Sequence, residues 1–269
     1  MKFSLPQPAH VDGAIWHYDA ESPRFARHHH DELELNLVVA GRAAYLIGDQ
    51  RVEVGPRSLL WLLPRQEHLL IDISEDFEMW VASFRARLVN RVCVEQATRP
   101  LRARSSQQVL QRRIPLSSAR ELSQLCERVA TQASPSLFNA GLGYVLAQAA
   151  AKHAASGELA HAEQVHPAVE RAAHVVSREP ALSATELAAR CGLSPGRLGR
   201  LFYAQLGQSL VSFRNRQRIT YVLEHFEPAR STLLDTALEA GFGSYAQFHR
   251  VFRQVTGKSP AAYKRALSA

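Results

Sequence analysis

One pattern of residues occurs twice in the last hundred positions of the chain, at a constant offset of 50. The first copy comprises Ser194, Arg200, Phe202, Gly207, Ser209 and Phe213, and the second comprises Ser244, Arg250, Phe252, Gly257, Ser259 and Tyr263. Each copy follows a short helical run that ends in glycine, at Gly192 and at Gly241. A helix, a glycine turn and a serine-capped second helix form a helix-turn-helix. This part of the chain is therefore predicted to be all-α, with two such motifs in tandem.

Charge is unevenly distributed along the 269 residues, whose net charge is +7. Residues 161–269 carry 14 Lys and Arg against 8 Asp and Glu, whereas residues 1–84 carry 7 against 13. A basic carboxy-terminal part suits contact with phosphate groups, and an acidic amino-terminal part does not. The alternative is that the excess arginine only favours solubility.

The composition indicates an ordinary globular protein of two domains, with 46% apolar and 21% charged residues. The first residues contain no apolar signal segment, and no run is apolar enough to span a bilayer. Three cysteines, Cys93, Cys126 and Cys191, are an odd number, and no two have metal-ligand spacing. We therefore expect a cytoplasmic protein with reduced thiols and no membrane partner.

The first hundred residues show short apolar runs, such as 33–39, 58–62 and 79–84, separated by turn signals. This pattern is typical of an antiparallel sandwich or barrel. The Arg-rich segment after Phe84 is interpreted as a strand edge that leads into a loop. Helical periodicity follows from Leu116 to Ala155. The predicted fold class is α+β multidomain: an antiparallel β-barrel over 1–112, a helical hairpin over 113–158, a linker over 159–166 and an all-α domain over 167–269.

The hairpin carries an apolar stripe of Leu122, Leu125 and Val129. Such a stripe suits either a dimer interface or packing on the barrel. The sequence leaves the two alternatives open.

The second helix of each motif combines an apolar stripe with a polar face. In the first copy Leu198, Leu201 and Phe202 form the stripe and leave Arg197 and Arg200 on the outside. In the second copy Phe248, Val251 and Phe252 do so, and the outer residues are Tyr245, Gln247, His249 and Arg250. Between the copies, residues 211–226 are predicted to form one long helix that carries Arg214 and Arg218 on a common face.

These motifs resemble the AraC/XylS family of transcription regulators. The matching residues are Ala188, Gly192, Ser194, Leu198, Arg200, Phe202 and Gly207 in the first copy, and Ala237, Gly241, Phe242, Phe248, Arg250, Phe252, Gly257, Ser259, Pro260 and Tyr263 in the second. The resemblance implies seven helices and binding to double-stranded DNA. It also implies a homodimer and makes RNA polymerase a candidate partner.

The resemblance implies base contacts from Gly196, Gly199 and Arg200 in the first copy and from Tyr245, Ala246, Gln247, His249 and Arg250 in the second. Because two of these are glycines, the first helix is expected to rely on Arg200 and Arg197, which can bond guanine. Arg214, Arg218 and Arg253 are expected to contact phosphates.

The amino-terminal half has a second resemblance. His28, His30, Glu34 and Gly41 have the spacing of the first cupin motif, and His68 follows Pro64 where cupins supply another ligand. His, His, Glu and His suit one divalent ion such as Zn, Ni, Fe or Mn. A metal-free pocket for a small molecule and a purely structural histidine cluster are the alternatives. Tyr45, Trp80 and Phe84 are candidates for the pocket lining.

The sequence therefore predicts a regulator that binds specific DNA sequences and is controlled by a small molecule or metal ion in its barrel. We expect no catalysis. The alternatives are a cupin metalloenzyme of the oxygenase kind fused to a DNA-binding module, and a constitutive architectural dimer.

Overall fold

A computed structural model of the protein describes residues 8–20, 27–103, 108–157, 162–227 and 231–267. The chain forms two compact units. One consists of residues 1–20 and 28–163, and the other of residues 21–27 and 164–269. The division after Glu163 falls inside the segment 159–166 that the sequence suggests as a linker.

The first unit is built on two antiparallel sheets. The five-stranded sheet has the order β1 (Gly13–Asp19), β7 (Glu78–Phe84), β2 (Leu33–Ala40), β5 (Ser58–Leu62) and β8 (Leu110–Arg113). The four-stranded sheet has the order β6 (His68–Ile71), β3 (Ala43–Ile47), β4 (Gln50–Val54) and β9 (Ala162–Gln164). The strands predicted from the apolar runs are present. The turn after β2 needs a glycine, because Gly41 has φ +68° and a Cβ there would lie 2.5 Å from the Cα of Phe77.

The five-stranded sheet has two differently covered faces. Along β2, Leu33, Leu35 and Leu37 belong to a core shared with helices, whereas Val38 belongs to a cluster drawn from the strands of both sheets. This alternation follows from the two-residue period of a strand. Even-numbered positions of β2, including Glu34, therefore lie on the interior side of the β domain.

Three helices cover the outer face of this sheet. They are α1 (Ala86–Val92), α2 (Leu116–Ala130) and α3 (Pro135–Ala155). The helical hairpin predicted for residues 116–155 is confirmed. The loop interpretation of the Arg-rich segment after Phe84 is wrong, because the segment forms α1, which buries Leu88 and Val89.

The stripe on α2 packs against the sheet. Leu122 and Val129 are buried in the same core as the sheet residues, and Leu125 is partly buried against it. Of the two alternatives left open by the sequence, packing on the β domain is therefore the one observed for this stripe.

The second unit contains seven helices in its described part: α4 (Pro167–Arg178), α5 (Ala184–Arg190), α6 (Pro195–Leu206), α7 (Leu210–His225), α8 (Leu233–Glu239), α9 (Tyr245–Thr256) and α10 (Pro260–Leu267). This agrees with the all-α expectation. Among the described residues, no helix combines the length and apolar character that crossing a membrane requires.

Capping residues fix the ends of α6 and α9, the second helix of each motif. The hydroxyl of Ser194 accepts a hydrogen bond from the Arg197 amide, and that of Ser244 accepts one from the Gln247 amide. Both helices end at a left-handed glycine, Gly207 and Gly257. Serine caps and left-handed glycines satisfy backbone groups that a helix end leaves unpaired.

Candidate functional site

The helix α6 presents a small polar face. Leu198 and Phe202 are fully buried, while Arg197, Arg200 and Tyr203 are exposed. Gly196 lies beside Arg200, since a Cβ on Gly196 would be 3.7 Å from Nη1 of Arg200. The two arginines therefore provide the long polar side chains of this surface, as the sequence predicts.

The helix α9 presents a larger polar face. Tyr245, Arg250 and Arg253 are exposed, and Gln247 and His249 are half-buried. The backbone amide of Gly243 donates a 3.1 Å hydrogen bond to Oε1 of Gln247. This bond uses one of the two lone pairs of Oε1 and leaves Gln247 one acceptor site and its NH₂ group.

Arg218 and Arg214, which were expected to contact phosphates, both bond backbone carbonyls of the segment before α5. Arg218 is 8% exposed, and its Nε donates a 2.9 Å hydrogen bond to the carbonyl of Pro180. Burial, and then the charge of Arg214, lower the pKa of Arg218 to about 10. Arg214 in turn bonds the carbonyl of Leu182. The expectation that Arg218 contacts phosphate does not fit this placement, because the side chain is buried and its Nε is bonded to the loop before α5.

Three histidines meet at one end of the β domain. A ring nitrogen from each of His28, His30 and His68 lies within 4.8 Å of the other two. A backbone bridge fixes this arrangement, since the amide of His28 donates to the carbonyl of His68 at 3.1 Å and the amide of His68 donates back at 3.0 Å. Glu34 joins them from β2, with Oε2 3.0 Å from Nε2 of His30. The structure therefore brings together all four predicted residues.

Hydrogen bonds orient two of the rings. Nδ1 of His30 lies 2.9 Å from the carbonyl oxygen of Glu32, and Nδ1 of His68 lies 2.9 Å from that of Gln66. A carbonyl only accepts, so each Nδ1 carries the hydrogen and each Nε2 is directed at the cluster. Nε2 of His68 is buried with no hydrogen-bond partner among the described residues. This is the arrangement in which a histidine binds a metal ion.

The charges of the cluster are coupled. Burial lowers the pKa of His30, but the hydrogen bond and charge of Glu34 outweigh it and leave the pKa raised. Burial raises the pKa of Glu34, but His30 and the neighbouring groups lower it to about 2. Burial lowers the pKa of His68 to about 3. Near neutral pH the cluster thus contains an ionised Glu34, which favours a positive charge at its centre, and a neutral His68, which can donate its lone pair.

One polar residue of this site was not predicted from the sequence. Asn36 is fully buried, and its Nδ2 donates a 2.9 Å hydrogen bond to Oε1 of Glu34. The signal for it was available, because Asn36 follows Glu34 by two positions on a strand and so shares its face.

The predicted pocket lining is largely wrong. Tyr45 is buried in the interior cluster, and its hydroxyl contacts the sulfur of Met79. Trp80 and Phe84 instead belong with the core under the helices, where Nε1 of Trp80 donates to the hydroxyl of Ser123. Both occupy even positions of β7, whose odd positions Met79 and Val81 face the interior.

A β domain with a polar cluster, followed in the same chain by two helix-turn-helix motifs, defines the class of one-component transcription regulators. Comparison with protein families supports this class in both halves. Residues 9–147 match the AraC-like ligand binding domain, and residues 187–266 match a helix-turn-helix domain. The chain belongs to the AraC-type family of transcription regulators.

The chain is also similar to two regulatory proteins and to one solved structure. The chain is 38% identical over 72 residues to the arabinose operon regulatory proteins of Escherichia coli (strain K12) and Salmonella typhimurium. The matched segment is 27% of this chain and 25% and 26% of those proteins, so it spans about a quarter of their length. An apo variant of ToxT from Vibrio cholerae is 14% identical, with 94% of this chain and 97% of that chain covered, at a TM-score of 0.39.

Proposed function

We propose that the protein is a transcription regulator that binds specific sequences of double-stranded DNA through α6 and α9. The observation that supports this most directly is the pair of helices itself. Each begins at a serine cap, buries an apolar stripe and exposes arginine on the opposite face. A helix of this form fits the major groove of DNA, where an arginine distinguishes guanine from other bases.

The helix α7 connects the two motifs. It has 16 residues, which corresponds to a length of about 24 Å. Its buried side chains contact both halves of the unit, so the two candidate recognition helices belong to one packed body. We propose that α6 and α9 enter successive major grooves on one face of the duplex.

The roles proposed for individual residues follow their exposure. Arg197 and Arg200 contact bases from α6, and Tyr245, His249 and Arg250 contact bases from α9, with Gln247 beside them. Arg253, exposed in the last turn of α9, contacts phosphate. Arg214 contacts phosphate only if it releases the Leu182 carbonyl.

Selection from a random pool of duplex DNA with the full-length protein tests this proposal. Two enriched blocks of sequence, separated by about ten base pairs from centre to centre, are expected. Recovery of a pool with no enriched sequence would count against specific binding. A single enriched block would mean that only one motif contacts bases.

We further propose that the β domain is regulatory and not catalytic, in a cytoplasmic protein. Its candidate effector at the histidine cluster is a divalent transition ion held by His28, His30 and His68, with Glu34 beside them. The partnerless Nε2 of buried His68 supports a metal ion over a purely structural cluster. The ion would supply a positive charge that neutralises Glu34, and it would crosslink the segment of His28 and His30 to β6, where His68 lies.

A homodimer is the assembly that we propose. The stripe on α2 is already buried, so the interface must use another surface. Leu137 and Tyr144 lie seven residues apart on α3 and are 61% and 55% exposed. Sedimentation of wild type and of Tyr144→Asp tests this surface: a dimer that becomes a monomer in the variant supports it, and a wild-type monomer contradicts it. RNA polymerase is a proposed partner at the promoter.

A further inference from the structure

A polar cavity lies in the β domain, apart from the histidine cluster. Its volume is about 530 Å³. Its charged lining consists of Arg42, Arg51, Arg113, Glu53 and Asp72, and Gln111 contributes a further polar wall. This volume suits a small organic molecule.

The pairing of strands places this cavity at the opposite end of the sheet from the histidines. On β3, Ile47 pairs with His68, whereas Ala44, three residues earlier, pairs with Ile71. Ala43 and Asp72, which are the neighbours of Ala44 and Ile71 in the chain, line the cavity. Binding in this cavity is therefore separate from binding at the histidine cluster.

The cavity carries more positive than negative charge. Three guanidinium groups line it against the two carboxylates of Glu53 and Asp72. The side chain of Arg51 is only 13% exposed and pairs with both of those carboxylates, with Nη2 3.2 Å from Oδ2 of Asp72. Its Nε is nevertheless buried without a hydrogen-bond partner among the described residues. A ligand acceptor that reaches Nε would satisfy this donor.

Within the described ranges, Gln111 offers an unpaired acceptor, whereas Arg51 offers an unpaired donor. It is 4% exposed, and its Nε2 donates to the carbonyl of Glu53 at 2.9 Å and to the hydroxyl of Ser58 at 3.2 Å. Because the Glu53 carbonyl only accepts, the orientation of the amide is fixed. Its Oε1 is left buried and without a partner in the described part of the chain. A hydroxyl is the ligand group that satisfies such an acceptor.

We propose that this cavity binds a small organic acid that also carries hydroxyl groups, that is, a hydroxycarboxylate. The carboxylate pairs with Arg42 and Arg51, and a hydroxyl donates to Gln111. Arg42 can bond the carboxylate with its planar fork, whereas Arg51, whose Nη atoms pair with Glu53 and Asp72, offers its Nε. Arg42 is exposed, and no described residue bonds its guanidinium, so the group can turn toward the ligand.

Calorimetric titration of the full-length protein without DNA tests the proposal. The probes are D-gluconate, L-malate and citrate, with D-glucitol as an uncharged polyol and hexanoate as an acid without hydroxyls. At least one hydroxycarboxylate should bind in saturable fashion, and both controls should bind at least about tenfold more weakly, since D-glucitol lacks the carboxylate and hexanoate lacks the hydroxyl.

Two variants locate the binding. Arg42→Ala changes an exposed side chain and should weaken the bound acid about tenfold, and Arg51→Lys, which keeps the charge and removes Nε, should weaken it by a similar factor. Arg120→Ala, which changes an exposed arginine of α2, should leave the affinity unchanged. Saturation by none of the three acids, or equal affinities in wild type, Arg42→Ala and Arg51→Lys, would overturn the proposal. Because no DNA is present, either outcome is independent of the proposed regulatory function.

Discussion

The guanidinium of Arg218 lies over the ring of Phe242, with its carbon 5.7 Å from the ring centroid. Nε of the same group donates to the carbonyl of Pro180. Pro180 precedes the first helix-turn-helix, and Phe242 lies in the turn of the second. One buried side chain on α7 therefore contacts both copies of the motif. A second contact supports this, since Gly241 packs against the backbone of Ala181.

Replacement of Arg218 should weaken the carboxy-terminal unit as a whole. Arg218→Met removes the hydrogen bond to Pro180 and the contact of a cation with an aromatic face, so we expect the free energy of unfolding to fall by about 1–3 kcal/mol. Chemical denaturation followed by circular dichroism measures this change. Arg253→Met, at an exposed position of α9, is the matched control and should change stability little. Equal stability of the two variants would show that the contacts of Arg218 with Pro180 and Phe242 do not stabilise the unit.

The two turn glycines provide a matched pair of substitutions. Gly192 and Gly241 both have positive φ, +70° and +90°, but only Gly241 is crowded, with its Cβ position 2.6 Å from the Cα of Ala181. Gly192→Ala should therefore cost about 1 kcal/mol of backbone strain, and Gly241→Ala should cost at least about 1 kcal/mol more from the clash. Thermal unfolding distinguishes the two. Identical losses would mean that the contact with Ala181 contributes nothing.

His153 should make stability depend on pH. Burial, and then the charge of Arg112, lower the pKa of His153 to about 4 from an ordinary value of 6.5. Between pH 6.5 and about pH 4, His153 is protonated in the unfolded chain but neutral in the folded chain. The free energy of unfolding therefore decreases as the pH falls through this window. We expect a contribution of at most about 2 kcal/mol, discounted because the ring keeps some contact with solvent.

The variant His153→Leu isolates this contribution. Its unfolding free energy, measured in urea from pH 7 to pH 4, should fall less steeply than that of the wild type. Parallel curves for the two proteins would refute the assignment of this window to His153.

The histidine cluster predicts metal binding by the β domain. Protein purified without a nickel column and dialysed against Zn²⁺ should retain close to one equivalent, because three clustered imidazoles beside an ionised carboxylate suit this ion. His68→Ala should lose most of it. His249→Ala, which alters a histidine on α9, should retain the metal. Zinc that remains bound in His68→Ala would place the ion elsewhere, and a metal-free wild type would leave a small-molecule pocket or a structural cluster.

The parts of the fold that depend on local chemistry could be predicted from the sequence. Ser194, Ser244 and the glycines after each helix act within one turn of backbone, so the motif specifies its own helix ends. The histidine cluster could also be predicted, because His28 and His30 precede a strand that fixes Glu34 on its inner face.

Features that depend on distant partners could not be predicted in the same way. Trp80 and Phe84 alternate correctly on β7, but alternation alone does not show which face meets the helices. Arg218 has the spacing of a surface arginine, and only the approach of the Pro180 carbonyl, 38 positions away, explains its burial. Cavity residues such as Gln111 and Arg51 come from different sheets, so no sequence pattern relates them.

We predict that α6 and α9 each contact their own block of DNA sequence. Repeating the DNA selection with Arg200→Ala and Arg250→Ala tests it most directly, because both side chains are exposed and their loss should leave the fold intact. We predict that Arg200→Ala loses specificity only in one block and Arg250→Ala only in the other, each by about 1–3 kcal/mol. Selected sequences identical to those of the wild type in both variants would contradict the claim.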